Sequence, residues 1–217
     1  MTPELPNGAE IVGVFGPVAS GKTFLVRQWM ENLDRVVAFD SVGEMSEATD
    51  QTIVDNPRLL WDTLRVSPWY FRVTYVPGSD LDYNFSCVRN ILWWIPSDKW
   101  LIVDEFHFIC PVNAIEQPMN DTLRLARKVK LGLVGVSQRI ADVHKLFTSS
   151  CRMVVLFWTQ EARDLDAISQ RWGNDVAERV RNLRPLIYND VTQEVQQTPQ
   201  CLVIRKGEIG EPKTYDL

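Results

Sequence analysis

The chain has 217 residues, 45% hydrophobic and 24% charged, with a formal net charge of −5. That size and balance fit one globular domain with a well-buried core, and no apolar run approaches the roughly 20 residues of a membrane span. The opening Met1-Thr2-Pro3-Glu4-Leu5-Pro6 lacks the basic-then-apolar order of a signal peptide, and the acidic balance argues against a surface coated with nucleic acid, though not against positive charge confined to the inside of a ring.

Ile11-Val12-Gly13-Val14-Phe15 is a buried-strand run. It leads into Gly16-Pro17-Val18-Ala19-Ser20-Gly21-Lys22-Thr23, which reads G-x-x-x-x-G-K-T, and residues 24–30 continue as a helix with an apolar face. A second strand at Arg35–Phe39 ends at Asp40, and Asn56-Pro57 opens a helix to about residue 65. Residues 70–76 alternate as a strand stopped by Pro77-Gly78, a helix follows over 81–95, and Trp100-Leu101-Ile102-Val103 is an apolar strand running into Asp104-Glu105. Residues 119–129 read as a basic helix, 131–136 and 152–158 as buried strands, and 161–172 and 174–183 as helices. After Pro185 the pattern shortens to strands near 200–205 and 212–215.

This alternation predicts an α/β fold, a mostly parallel sheet flanked by helices with a short C-terminal β or irregular tail, and the G-x-x-x-x-G-K-T loop makes it one of the P-loop NTPase type. One domain is expected over residues 1–217, with the core at 10–170 and an extension at 171–217. Cys87, Cys110, Cys151 and Cys201 are scattered without a C-x-x-C pair, so they read as reduced packing residues. With only His107 and His144, no His/Cys zinc site is expected.

The glycine loop between strand and helix carries the most chemistry. Its backbone N–H groups can curl around a polyphosphate, and the helix N-terminus adds partial positive charge. Lys22 is placed to reach the β- and γ-phosphates of a nucleoside triphosphate, and the Thr23 hydroxyl to hold Mg²⁺. Asp104 and Glu105 end an apolar strand, where side chains of a parallel sheet point into the ligand crevice. Asp104 is expected to hold Mg²⁺, and Glu105 to orient and deprotonate the attacking water. The Glu next to the Asp marks the subclass of P-loop proteins that hydrolyse by this carboxylate, as opposed to kinases and Ras-like GTPases. Gln138 ends the next strand, where its plain reading is a solvated polar cap.

The segment 125–139, with Arg127-Lys128, an apolar strand and Ser137-Gln138-Arg139, resembles the corresponding block of the HerA/FtsK superfamily of ring-forming DNA-pumping ATPases. Asp40-Ser41-Val42-Gly43-Glu44 is similar to that family's Asp-x-x-Gly-Glu turn, without its usual Pro-His, so Asp40 and Glu44 receive no role. Ser149-Ser150-Cys151-Arg152, the strand after it and Asp164-Leu165-Asp166 also fit. The resemblance covers residues 10–170. It implies that the 131–136 strand lies between the phosphate-loop strand and the Asp104 strand, turning Gln138 toward the γ-phosphate as a sensor in place of a solvated cap. It also implies that Arg127 is inserted into a neighbouring subunit's site, with Arg124 and Arg152 as rivals and a solvated basic face as the alternative.

The compact form looks most like the genome-packaging ATPases of tailless icosahedral viruses with an internal membrane and a double-stranded DNA genome. The resemblance then implies an ATP- and Mg²⁺-dependent DNA translocase in virion or host cytoplasm. It would form a ring, expected to be a hexamer, acting on double-stranded DNA without regard to sequence and recruited by capsid or vertex proteins. Two alternatives stay open: a cellular or plasmid HerA-like translocase with a nuclease or mobilisation partner, and a nucleotide-gated scaffold that moves no DNA. Residues 77–84 and 107–120 are candidate lumen loops, and Trp93, Trp94 and Trp100 read as core and interface residues more than as base-stacking platforms.

Overall fold

The computed structural model describes residues 2–43, 45, 51–189, 194–207 and 212–217; Glu44 of the expected acidic turn lies outside them. The expected alternation is present. Strands β1 (Ile11–Phe15), β2 (Arg35–Phe39), β3 (Thr52–Val54), β4 (Phe71–Tyr75), β5 (Lys99–Val103), β6 (Leu131–Ser137) and β7 (Met153–Phe157) precede a C-terminal set, β8 (Ile187–Asn189), β9 (Glu194–Gln197), β10 (Gln200–Arg205) and β11 (Lys213–Asp216). The helices are α1 (Lys22–Glu31), α2 (Pro57–Val66), α3 (Leu81–Trp93), α4 (Gln117–Leu125), α5 (Lys145–Ser150), α6 (Ala162–Trp172) and α7 (Asn174–Arg181).

Nine strands form one sheet in the order β11-β10-β7-β1-β6-β5-β2-β4-β3. All pairings from β7 to β3 are parallel, whereas β10 runs antiparallel to β7 and β11 antiparallel to β10. β6 stands between β1 and β5, as the resemblance implies. Parallel register brings Phe15 beside Ser137, and Val103 beside Gly135 and Phe39. The carboxyl ends of β1, β6 and β5 therefore open side by side onto one edge of the sheet.

Alternating side chains divide the core between the two faces, because successive strand residues point oppositely. Val12, Val14, Val36, Ala38 and Ile102 pack with Leu25, Val26, Trp29 and Met30 of α1. On the other face Ile11, Phe15, Val37, Phe39, Leu101 and Val103 pack against side chains of α2 through α7. The N-terminal segment is tied to the α1 face by the Trp29 indole, which donates to the Pro3 carbonyl at 2.6 Å. Helix starts follow local chemistry: the Asn56 side chain caps α2 ahead of Pro57, and the Asp80 carboxylate caps α3.

One element differs in a way that matters for the site. The expected basic helix over 119–129 stops at Leu125, and Arg127–Lys130 form turns that feed β6. The reason lies underneath. Lys99 is 1% exposed, and its ammonium donates to the carbonyls of Ile95 and Val129, drawing the latter out of helical register. Lys130 completes the exit at φ 55°. The three tryptophans also separate: Trp100 is buried, Trp93 lies beneath the Arg89 guanidinium at 4.1 Å, and Trp94 is exposed. Of the candidate lumen loops, 77–84 runs into the first turn of α3, and 107–120 includes a 3-10 turn and the start of α4.

Candidate active site

The glycine loop joins β1 to α1 through two residues in the left-handed region. Gly21 has φ 100°, and Ala19 adopts the left-handed region at φ 57°. A Cβ on Gly16 would stand 2.5 Å from the Phe157 Cβ, so the loop lies directly on β7. α1 has no side-chain cap, and this leaves its first-turn N–H groups facing the loop. Ser20 Oγ is buried without a hydrogen-bond partner among the described residues. Lys22 is buried and its ammonium turns back onto the Pro17 carbonyl at 2.7 Å. An uncapped helix start, an orphaned hydroxyl and an ammonium held by a loop carbonyl make a donor-rich cradle. Its chemistry fits an anionic polyphosphate.

The acidic pair lies two strands away. Asp104 is buried, its N–H donates to the Phe39 carbonyl at 3.0 Å, and its own carbonyl accepts from Ser41 Oγ at 3.1 Å. The turn after β2 is thereby attached to the end of β5. Asp40, which received no role from the sequence, shapes that turn by accepting from the N–H groups of Gly43 and Met45 at 2.8 and 2.9 Å. Thr23 and Asp104 supply the hydroxyl and carboxylate oxygens that a hard divalent cation prefers, so the residues present fit Mg²⁺.

Glu105 turns the chain sharply, with φ 46° and ψ 50°. A non-glycine residue held there is strained, and the following 3-10 turn holds it. Phe108 N–H donates to the Glu105 carbonyl at 2.9 Å. Phe106 anchors the turn by packing over Gly135 of β6 and against Phe147 of α5, ring centroids 4.1 Å apart. The Glu105 carboxylate then meets Gln138, whose Nε2 donates to Oε1 at 2.6 Å. Gln138 is thus in contact with the acidic pair and is not simply a solvated cap. On its far side Arg139 reaches Asp164 of α6 at 3.4 Å and Glu161 at 3.3 Å, fixing the end of β6 against that helix. Asp164 also accepts from the Ala141 N–H at 3.1 Å, and its pKa is raised chiefly by burial, against the pull of that hydrogen bond and of Arg139.

Residues 16–23, Asp104, Glu105 and Gln138 are therefore brought to one edge of the sheet. Arg127 is not. It precedes β6, at the opposite end of a seven-residue strand that spans about 20 Å. Its side chain is 71% exposed, and its guanidinium pairs with Glu10 at 2.6 Å. The rival Arg152, which precedes β7, is exposed at that same far edge, where its N–H donates to the Ile11 carbonyl at 2.8 Å. Arg124, also exposed, ends α4 close by. None can serve this chain's own glycine loop. One residue beside the acidic pair was read from the sequence only as the start of a candidate lumen loop: His107, whose Nδ1 lies 3.2 Å from Glu105 Oε2. No spacing pattern announces it, because the contact depends on the left-handed turn at Glu105.

The fold is that of the P-loop ATPases, a mostly parallel nine-stranded sheet with flanking helices and the glycine loop after β1, an inner strand beside the central β6. Among solved structures, the genome packaging NTPase B204 from Sulfolobus turreted icosahedral virus 2, in complex with sulfate, is similar at TM-score 0.74 and 17% identity over 97% of each chain. The same protein with AMPPCP is similar at TM-score 0.68 and 21% identity, over 87% of this chain and 96% of that one. B204, the DNA-packaging ATPase from Sulfolobus turreted icosahedral virus, gives TM-score 0.65 and 18% identity over 88% and 97%. At such identities the shared property is the fold. No protein-family model and no curated protein sequence matches the chain.

Proposed function

We propose that this protein is an ATP-hydrolysing DNA translocase that packages double-stranded viral DNA into a preformed capsid as an oligomeric ring, expected to be a hexamer. The observation that carries the reading is the division of the site: loop, acidic pair and Gln138 at one sheet edge, Arg127 exposed at the other. Such a chain is completed head to tail, and a rotation that closes makes a ring. The whole-length likeness to viral genome-packaging NTPases supports the packaging role.

In this reading the loop amides of residues 16–23 and Lys22 bind the phosphates, the ammonium exchanging the Pro17 carbonyl for phosphate oxygen. Mg²⁺, held by Thr23 and Asp104, would neutralise phosphate charge and orient the leaving group. Glu105 takes a proton from water as the water oxygen bonds to the γ-phosphorus. The bond to the β–γ bridging oxygen breaks, releasing ADP and phosphate. Gln138 leaves Glu105 Oε1 for a γ-phosphate oxygen, which couples nucleotide arrival to release of the base. Arg127 of the next subunit neutralises charge on the transferring group, an effect worth about 10³–10⁵ in rate in related enzymes. Contacts to duplex DNA are made to the phosphate backbone, independent of sequence and weakened by salt. Capsid or vertex proteins recruit the ring in the virion or host cytoplasm. Among the described residues no helix is long and apolar enough to cross a membrane.

The test is the ATPase rate with and without duplex DNA. Stimulation by DNA, lost on Lys22→Ala, is expected. A rate indifferent to DNA, with nucleotide changing only the oligomeric state, would favour the nucleotide-gated scaffold, for which the net charge of −5 is the supporting feature. DNA stimulation without capsid-dependent uptake would favour a HerA-like translocase outside packaging.

A further inference from the structure

His107 stands beside the carboxylate on which the proposed reaction depends. The left-handed backbone at Glu105 and the 3-10 turn Phe106–Phe108 fold the ring back over the residue two positions earlier. Nδ1 lies 3.2 Å from Glu105 Oε2 and 3.4 Å from Ser137 Oγ. Oε2 is buried, and among the described residues no hydrogen bond reaches it. The other oxygen, Oε1, is already served by Gln138 at 2.6 Å.

A buried carboxylate oxygen left without a donor is costly. An imidazole nitrogen at 3.2 Å needs only a small ring rotation to supply one. Hydrogen bonds at catalytic groups are often long or misaligned before substrate arrives and tighten when the site closes. The arrangement of acceptors around the ring favours one tautomer. Ser137 Oγ donates to the Arg139 carbonyl at 3.3 Å, so its lone pairs remain to accept, and a hydrogen on Nδ1 suits both Oε2 and Oγ. The ring is also steadied by Phe108, with centroids 4.2 Å apart.

We propose that His107 is a positioning residue that holds Glu105 in place for water activation, an inference that rests on the ATPase reading above. The two oxygens of Glu105 then have separate duties. Gln138 guards Oε1 and departs for the γ-phosphate. His107 keeps its hold on Oε2, so the freed Oε1 meets water without the side chain swinging away. His107 donates a hydrogen bond throughout and takes no proton.

Two measurements test this. The chain has two histidines, so ¹⁵N-histidine labelling gives a spectrum of two imidazoles, and His107→Asn assigns the one that disappears. A hydrogen on His107 Nδ1, with a resonance that moves in Glu105→Gln, is expected. A ring carrying hydrogen on Nε2 alone, or one indifferent to Glu105→Gln, overturns the proposal without reference to turnover. In the kinetic arm, His107→Ala is expected to lower kcat on the order of 10²-fold, with KM and affinity for a non-hydrolysable ATP analogue unchanged. His107→Asn, whose amide nitrogen stands where Nδ1 stands, recovers most of the rate; His107→Gln, which reaches toward Nε2, does not. Wild-type kcat in the alanine variant, or equal impairment of Asn and Gln together with a lowered Tm, would mean the ring only packs. A wild type that hydrolyses no ATP sinks the ATPase reading itself, a result the spectrum keeps separate.

Discussion

Gly135 is the position where stability and the proposed catalysis are most directly joined. A Cβ there would stand 2.6 Å from Phe147 Cζ and 2.8 Å from Phe106 Cγ. Both rings are fully buried and packed on each other, so neither can give way cheaply. Overpacking of this kind costs about 1–3 kcal/mol. Taking about 2 kcal/mol for Gly135→Ala, a domain of this size loses about 4–8 °C in Tm. The displaced Phe106 is also the residue after Glu105, so the strained turn that aims the carboxylate moves with it. Scanning calorimetry paired with ATPase kinetics reads both effects. We expect a lowered Tm and a kcat depressed well beyond any change in KM. An alanine variant with wild-type Tm and kcat would refute the argument that Gly135 makes room for the turn that carries Glu105.

Two further outcomes concern buried ionisable groups. Burial lowers the Lys99 pKa from 10.5 to about 8. Between those values the unfolded chain binds the proton and the folded chain does not, so stability rises with pH across pH 8 to 10.5. Relative to Lys99→Met, the wild type should gain about 3 kcal/mol over that window in urea denaturation; a constant difference would contradict the assignment. Burial also pushes the Cys110 and Cys201 thiols up to about 12, and the Cys151 thiol higher still. In the native protein a thiol reagent at pH 8 should modify half-buried Cys87 first, with the other three reacting only in denaturant. Four fast thiols would show that the core opens far more readily than its packing indicates.

The sequence exposed the parts of the site that depend on local order. A strand, a glycine loop and a helix in succession mark the candidate phosphate cradle, and an apolar run ending in Asp104-Glu105 marks the acidic edge. The place of Gln138 beside them came from the implied order of β1, β6 and β5, and the fold has that order. Elements too short to show a period were missed. β3 has three residues at the sheet margin, and α5 has six, started by a hydrogen bond from Leu146 N–H to the His144 ring. The 119–129 helix was overrun because its composition is helical to the end. What stops it is a buried lysine from β5, remote in sequence. His107 was illegible for a related reason: its role follows from the backbone turn at Glu105, and residue type alone does not reveal a left-handed conformation in a glutamate.

The central claim is that each active site is shared between two copies of the chain, and mixing two inactive variants tests it most directly. Glu105→Gln retains Arg127 but lacks the base; Arg127→Ala retains the base but lacks the guanidinium. Each alone should bind ATP and fail to hydrolyse it. When equal amounts are dissociated and reassembled together, about a quarter of head-to-tail interfaces pair an intact Glu105 with an intact Arg127. The account predicts recovery of ATPase activity in the mixture. Full activity of Arg127→Ala alone, or a mixture that stays inactive while forming mixed assemblies, would contradict it.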